Sequence, residues 1–193
     1  MLIRKLLPLE RDQLLAHLLR LDSEARRLRF MAFVKEAFIT AYVQRIDFDK
    51  ATVLGLFIAG ELRGIAEVVP AASGDAAEIA FSLEADWRGK GHGRRLLARA
   101  VDIARLRGFS QVHMTALMEN RPVRKLAGEY DTVRSFIEDG TYEVDIAVPA
   151  ANSLAPIERA SEDAIALWHG SILAGHRIAC SLLTPPAPAA LRA

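Results

Sequence analysis

The stretch Ala77-Glu78-Ile79-Ala80-Phe81-Ser82-Leu83, followed closely by Trp87-Arg88-Gly89-Lys90-Gly91-His92-Gly93-Arg94-Arg95-Leu96-Leu97, decides how this chain is read. An apolar strand runs into a glycine turn and then into the first turn of a helix. Glycines at alternate positions let the backbone approach a ligand with no Cβ in the way. The helix behind them turns its free amides and positive dipole end toward the same point. Arg88, Lys90, Arg94 and Arg95 add positive charge to a place already suited to an anion, and phosphate is the natural occupant.

Two better-known phosphate loops do not fit. A P-loop requires G-x-x-x-x-G-K-[ST], and no Ser or Thr follows Lys90. The dinucleotide fingerprint is G-x-G-x-x-G with an acidic residue about twenty positions on. Here the glycines run G-x-G-x-G, and Ile103 to Phe109 is helix and turn with no strand-ending carboxylate.

Outward from this stretch, the apolar period switches in an informative order. Ile3 to Leu7 reads as a strand, and Leu14, Leu15, Leu18, Leu19 and Leu21 recur at helical spacing. A second helical region spans Glu24 to Ile46, broken near Phe30 to Phe33. Thr52 to Ala59 and Leu62 to Val69, separated by Gly60-Glu61, form a hairpin. Ala76 to Glu84 is the next strand, and Gly91 to Arg107 the helix, ended by Gly108. Phe109 to Leu117 is a buried strand, and Pro122 to Tyr130 a helix with proline in its first turn. Thr132 to Glu138 and Tyr142 to Val148 close a last hairpin at Asp139-Gly140. The order β-α-α-β-β-β-α-β-α-β-β predicts an α/β chain whose mixed sheet carries helices on both faces.

In this setting Arg88-Gly89-Lys90-Gly91-His92-Gly93-Arg94, preceded by Ala77-Glu78-Ile79-Ala80-Phe81 and followed by a strand ending in Glu119-Asn120 and a short helix, resembles the GNAT family of N-acetyltransferases. The resemblance covers residues 1–149 in order of elements, leaving 150–193 as an extension. It implies a central, mostly antiparallel sheet, acetyl-CoA as cosubstrate and an amine as acceptor. The family's pyrophosphate motif, R/Q-x-x-G-x-G/A, is matched by Arg88, Gly91 and Gly93. The coenzyme site expected from it takes in Phe81, Ser82, Leu83, Arg88, Gly89, Lys90, Gly91, His92, Gly93, Arg94, Asn120 and Arg124. Backbone amides of Phe81 to Leu83 are the expected donors to the pantetheine arm and to a developing oxyanion. Leu21 to Phe30 is similar to the first substrate-side helices of bacterial GNAT domains, including those of protein-lysine acetyltransferases.

The chemistry so implied needs a base, because an amine of pKa about 10.4 is mostly protonated at neutral pH and cannot attack a thioester. Glu78 occupies the position at which several family members carry a general-base glutamate. Glu67, near the end of the preceding strand, is its alternative, and both also read as polar positions on half-exposed strands. Many members place a tyrosine acid seven residues after the asparagine matched by Asn120, but here that position is Ala127. Tyr130 is the catalytic-acid candidate that remains. If the helix continued to it, three more residues would rotate the side chain by about 300° and raise it by about 4.5 Å. A thiol pKa of about 8.5 makes unassisted thiolate departure the favoured alternative. A non-catalytic acyl-CoA-binding module stands as the reading from outside the enzyme class.

Composition sets outer bounds. The chain has 193 residues, 51% hydrophobic, enough for one sizeable core. Its net charge of +1 gives no reason to invoke nucleic acid or an anionic membrane. The single cysteine, Cys180, forms no internal disulfide and no cysteine-rich zinc site, which suits a reducing, cytoplasmic setting. Glu10, Arg11 and Asp12 interrupt the leucine-rich start, so it is not read as a signal peptide. No membrane span is expected, and the protein is expected to act as a monomer or homodimer. In the extension, Ala164 to Ala179 reads as a helix and the last ten residues, with Pro185, Pro186 and Pro188, as disordered. His169 and His176 share a helical face but lack a third ligand, so no metal is expected.

Overall fold

In the computed structural model, which describes residues 1–72, 74–150, 157, 160, 161 and 163–168, the chain runs through β1 (Leu2–Lys5), α1 (Arg11–Arg20), α2 (Ser23–Phe30), α3 (Glu36–Arg45), β2 (Thr52–Ile58), β3 (Glu61–Pro70), β4 (Ala76–Leu83), α4 (His92–Leu106), β5 (Gln111–Leu117), α5 (Arg121–Ala127), β6 (Thr132–Glu138) and β7 (Thr141–Ala147). The strands form one sheet in the order β1-β2-β3-β4-β5-β7-β6. Every pairing is antiparallel except β4 with β5.

Side-chain alternation sends each strand's residues to two cores. On one face Leu54, Ala66, Val68, Ala77, Ile79, Met114 and Ile146 pack against Leu96, Leu97, Ala100 and Ile103 of α4. On the other, Val53, Phe57 and Ile65 pack against Leu14 and Leu18 of α1, Ala25 of α2 and Ile39 and Val43 of α3. The apolar face of α4 is therefore the one its 3.6-residue period marks, and helices cover both faces.

The parallel pair is short. β4 and β5 are in register only at Ala76↔Gln111, Ala77↔Val112 and Glu78↔His113, although β4 continues to Leu83 and β5 to Leu117. Beyond Glu78 and His113 the strands part, and the gap between them lies at the centre of the sheet. No helix among the described residues is long and apolar enough to cross a membrane.

Two local expectations shift. The first hairpin turns at Ala59-Gly60, not at Gly60-Glu61, with φ of 51° and 83°. A two-residue turn that matches strand twist needs positive φ at both positions, and Gly60 takes the second. The helix expected to reach Tyr130 stops at Ala127, where the Gly128 amide bonds back to the carbonyl of Arg124 at 3.0 Å. Tyr130 is thus in the turn before β6, and the helical rotation argued from sequence does not describe it. His169, His176 and the proline-rich tail lie outside the described residues, as does most of the helix expected over Ala164 to Ala179, while residues 157, 160, 161 and 163–168 are helical.

Candidate active site

The turn between β4 and α4 is built for backbone contact. Gly89 and Gly91 have φ of 70° and 79°, which a side chain would strain, and a Cβ at either would meet nothing within 4 Å. The Arg95 amide makes the bond back to Gly91 at 3.3 Å. The amides of His92, Gly93 and Arg94 before it therefore have no intrahelical acceptor and face outward at the positive end of a helix of 15 residues. Arg88 closes the turn, its Nε donating to the Leu83 carbonyl at 3.0 Å and its Nη2 to Asp22 at 3.1 Å. Asp22 also caps α2 by accepting from the Ala25 amide at 2.7 Å. That amide, and then Arg88, hold its carboxyl below the usual range.

A cleft of about 510 Å³ opens from this turn. Of the residues expected at the coenzyme site, Phe81, Ser82, Leu83, Arg88, Gly89, Gly91, Gly93, Arg94 and Asn120 line it. Lys90, His92 and Arg124 do not. Lys90 lies over the Trp87 ring at 5.1 Å, beside the mouth. Arg124 donates to the Met118 carbonyl at 3.0 Å and stacks on Tyr142, and Lys125, about 100° further round α5, takes the lining position instead. Asn120 caps α5 by accepting from the Val123 amide at 3.4 Å. Arg94 forms a two-point pair with Glu129, at 2.8 and 2.5 Å, on the rim of the same cleft.

Sequence spacing does not reveal what stands behind β4. His17 of α1 is fully buried, with Nε2 3.0 Å from Ser82 Oγ and Nδ1 3.2 Å from Glu84. Arg20 and Arg63 each donate to Glu84 at 2.9 Å. Burial lowers the His17 pKa and keeps the ring neutral. Burial opposes ionisation of Glu84, but bonds from His17, Arg20 and Arg63 outweigh it and hold the carboxyl down to about 2. The network commits the Ser82 hydroxyl to His17 and pins the end of β4 just before the glycine turn. Residues 17, 63 and 82 meet only through the tertiary fold.

At its inner end the cleft continues into the β4/β5 gap. A cavity of about 30 Å³ there lies among Ile79, Ala80 and Phe81 on one strand and Met114, Thr115 and Ala116 on the other. Leu28 and Arg29 of α2, which sequence reasoning did not assign, line both spaces. Glu78 sits at the root of the gap, exposed and unpaired among the described residues, on the face that α1 to α3 cover elsewhere. Glu67 is on that face too but is 3% exposed, and it accepts from Arg29 at 2.7 Å and from the Tyr42 hydroxyl at 2.5 Å. Burial pushes the Tyr42 hydroxyl up to about 12, so it stays a donor. Tyr130 packs against the α4-side core and lines neither space, and burial raises its hydroxyl as well.

The sequence model of the Acetyltransferase (GNAT) family matches residues 16–129, from α1 to the turn after α5. Acetyltransferase PA5475 of Pseudomonas aeruginosa is 30% identical over 132 residues, which are 65% of this chain and 70% of that protein. By fold and site the protein is an acyltransferase. It belongs to the GNAT family of acetyltransferases. Among solved structures, the GNAT domain of S. lividans PAT superposes with a TM-score of 0.63 at 23% identity, over 75% of this chain and 89% of that one. The PaiA N-acetyltransferase of Thermoplasma acidophilum, solved in complex with coenzyme A, gives 0.58 at 17% identity, over 76% and 98%.

Proposed function

We propose that the protein transfers an acetyl group from acetyl-CoA to a primary amine by direct attack in a ternary complex, through a domain spanning residues 1–149. The observation that carries this reading is that the cleft at the glycine turn adjoins the β4/β5 gap, the two sharing Leu28, Arg29, Phe81, Asn120 and Val123 in their walls. The amides of His92 to Arg94, with Gly89, Gly91, Arg88 and Lys90 around them, suit the pyrophosphate. The β4 backbone at Phe81 to Leu83 and the apolar walls of Leu28, Val123 and Leu126 suit the pantetheine arm. The coenzyme A complex of the Thermoplasma relative supports this assignment.

In the reaction the amine nitrogen forms a bond to the thioester carbonyl carbon and the carbon–sulfur bond breaks, the departing thiolate or solvent taking the second proton that the nitrogen sheds on becoming an amide. The ammonium proton must leave first. Glu78, exposed at the root of the gap, attracts the ammonium and so holds it where its proton can leave. The thiolate departs without Tyr130, because a thiol of pKa about 8.5 is already a fair leaving group. We place the enzyme in the cytoplasm, as a monomer or homodimer. Thiol release from acetyl-CoA, measured against a panel of polyamines, small amines and lysine peptides, tests the reading. At least one amine is expected to turn over, and hydrolysis alone, or no release, would refute it.

A further inference from the structure

Beyond Glu78, one side chain that borders the gap begins an ordered chain of three. Thr115 lines the cavity between β4 and β5, and its Oγ1 lies 3.2 Å from Nε2 of His113. His113 Nδ1 lies 2.7 Å from Asp145 Oδ1, and its ring is directly across from Glu78 in register. A carboxylate only accepts hydrogen bonds, so Nδ1 carries the ring proton and the Nε2 lone pair points to the Thr115 hydroxyl. Asp145 is braced from behind by Arg134 Nε at 3.1 Å. Glu143 stands 3.7 Å from Nε2, placed to stabilise a ring that has gained a proton.

We propose that Thr115, His113 and Asp145 form the proton exit of the acetyl-transfer site, a role that rests on the reading above. The acceptor's ammonium gives its proton to the Thr115 hydroxyl as that hydroxyl passes its own to His113 Nε2. The neutral amine then attacks, the imidazolium is held between Asp145 and Glu143, and it returns its proton to solvent. Glu78 attracts the cation at the root of the gap, and the ring stores the proton. An imidazole suits this task, because it takes a proton on one nitrogen while the other stays hydrogen-bonded to its carboxylate. Glu67, the other carboxylate on this face, is occupied by Arg29 and Tyr42. His113 and Thr115 are thus the catalytic residues of the exit, and Asp145 positions the ring.

The charged groups near His113 are its register partner Glu78 on β4, Asp145 and Glu143 from β7, and Arg134 from β6 behind Asp145.

The test measures thiol release from acetyl-CoA with spermidine and with a lysine peptide, across pH, alongside calorimetric affinity for acetyl-CoA. His113→Gln should lower kcat at neutral pH by about 10²-fold, with a smaller loss at high pH, where the amine deprotonates unaided, and acetyl-CoA affinity preserved. Thr115→Val should follow it and Thr115→Ser restore most of the rate, whereas a packing role for Thr115 would favour the valine. Asp145→Asn should lower kcat and release His113 from the Nδ1–H tautomer without moving acetyl-CoA affinity. Nitrogen-15 spectra of the free enzyme should show His113 as the Nδ1–H tautomer. A wild-type enzyme that turns over, with His113→Gln unchanged across pH, would overturn the exit alone, as would an Nε2–H tautomer. A wild type that releases no thiol with any amine would overturn the exit and the transfer reading together.

Discussion

The two ends of the cleft are made in opposite ways. At the phosphate end, the donors are backbone amides from one continuous run, Gly89 to Arg94, and their direction follows from glycine φ values and the start of α4. At the end around the β4/β5 gap, the groups are side chains: Leu28, Arg29 and Thr115 line it, and Glu78, His113 and Asp145 adjoin Thr115 through register and hydrogen bonds, so that α2, β4, β5 and β7 all contribute. A site of the first kind is local and tolerates most side-chain exchange around it. A site of the second kind exists only when the sheet has formed and split at Glu78 and His113.

The largest effect should come from breaking the local end. Gly91→Val places a branched side chain at φ 79° on the turn that the ligand must approach. Coenzyme A affinity in calorimetry should fall at least 100-fold, since the valine both strains the turn and covers the amides. Unaltered affinity in a folded variant would remove the cradle from the site.

Behind the strand that joins the two ends, His17 and Glu84 make the frame pH-dependent. The folded pKa of His17 lies below its ordinary 6.5, so its contribution to stability is complete above that pH and is lost as pH falls from it. Glu84, held at about 2 against an ordinary 4.5, contributes above 4.5 and is lost between those values. Both make stability rise with pH. His17→Asn should cost about 1–3 kcal/mol at pH 7 by leaving Glu84 and Ser82 short of a partner. It should also flatten the dependence of the denaturation midpoint just below pH 6.5, and an unflattened curve would count against the network.

At the assembled end, Glu78→Gln should lower kcat at neutral pH by about tenfold while acetyl-CoA affinity holds, because it removes the charge that draws the ammonium but leaves the ring that stores its proton. A loss larger than that of His113→Gln would reverse the order of the two groups. The smallest effect belongs to Tyr130→Phe. Its hydroxyl lines neither space, so turnover should stay within about twofold, and a rate-specific loss of about 10²-fold would make Tyr130 the missing acid.

How much was legible in the sequence follows the same division. Element order, the apolar face of α4 and the glycine turn were readable because each depends on neighbours within a few residues. The Ala59-Gly60 turn was misplaced by one residue, since positive φ at an alanine has no sequence signal of its own. Arg124 is expected at the coenzyme site, but Lys125 lines the cleft, because one residue on a helix is a turn of about 100° and a short helix leaves the phase open.

By itself, the sequence determined that this chain makes a mixed sheet with helices on both faces and a glycine turn that leaves the first amides of α4 free. The reason is that backbone conformation and hydrophobic period are local properties. Only the tertiary structure decided that Glu67 is occupied by Arg29 and Tyr42, that His17 locks Ser82 and Glu84, and that His113 and Asp145 stand beside Glu78 at the gap. Those groups are separated by tens of residues, and their distances are set by strand register and by where the sheet splits.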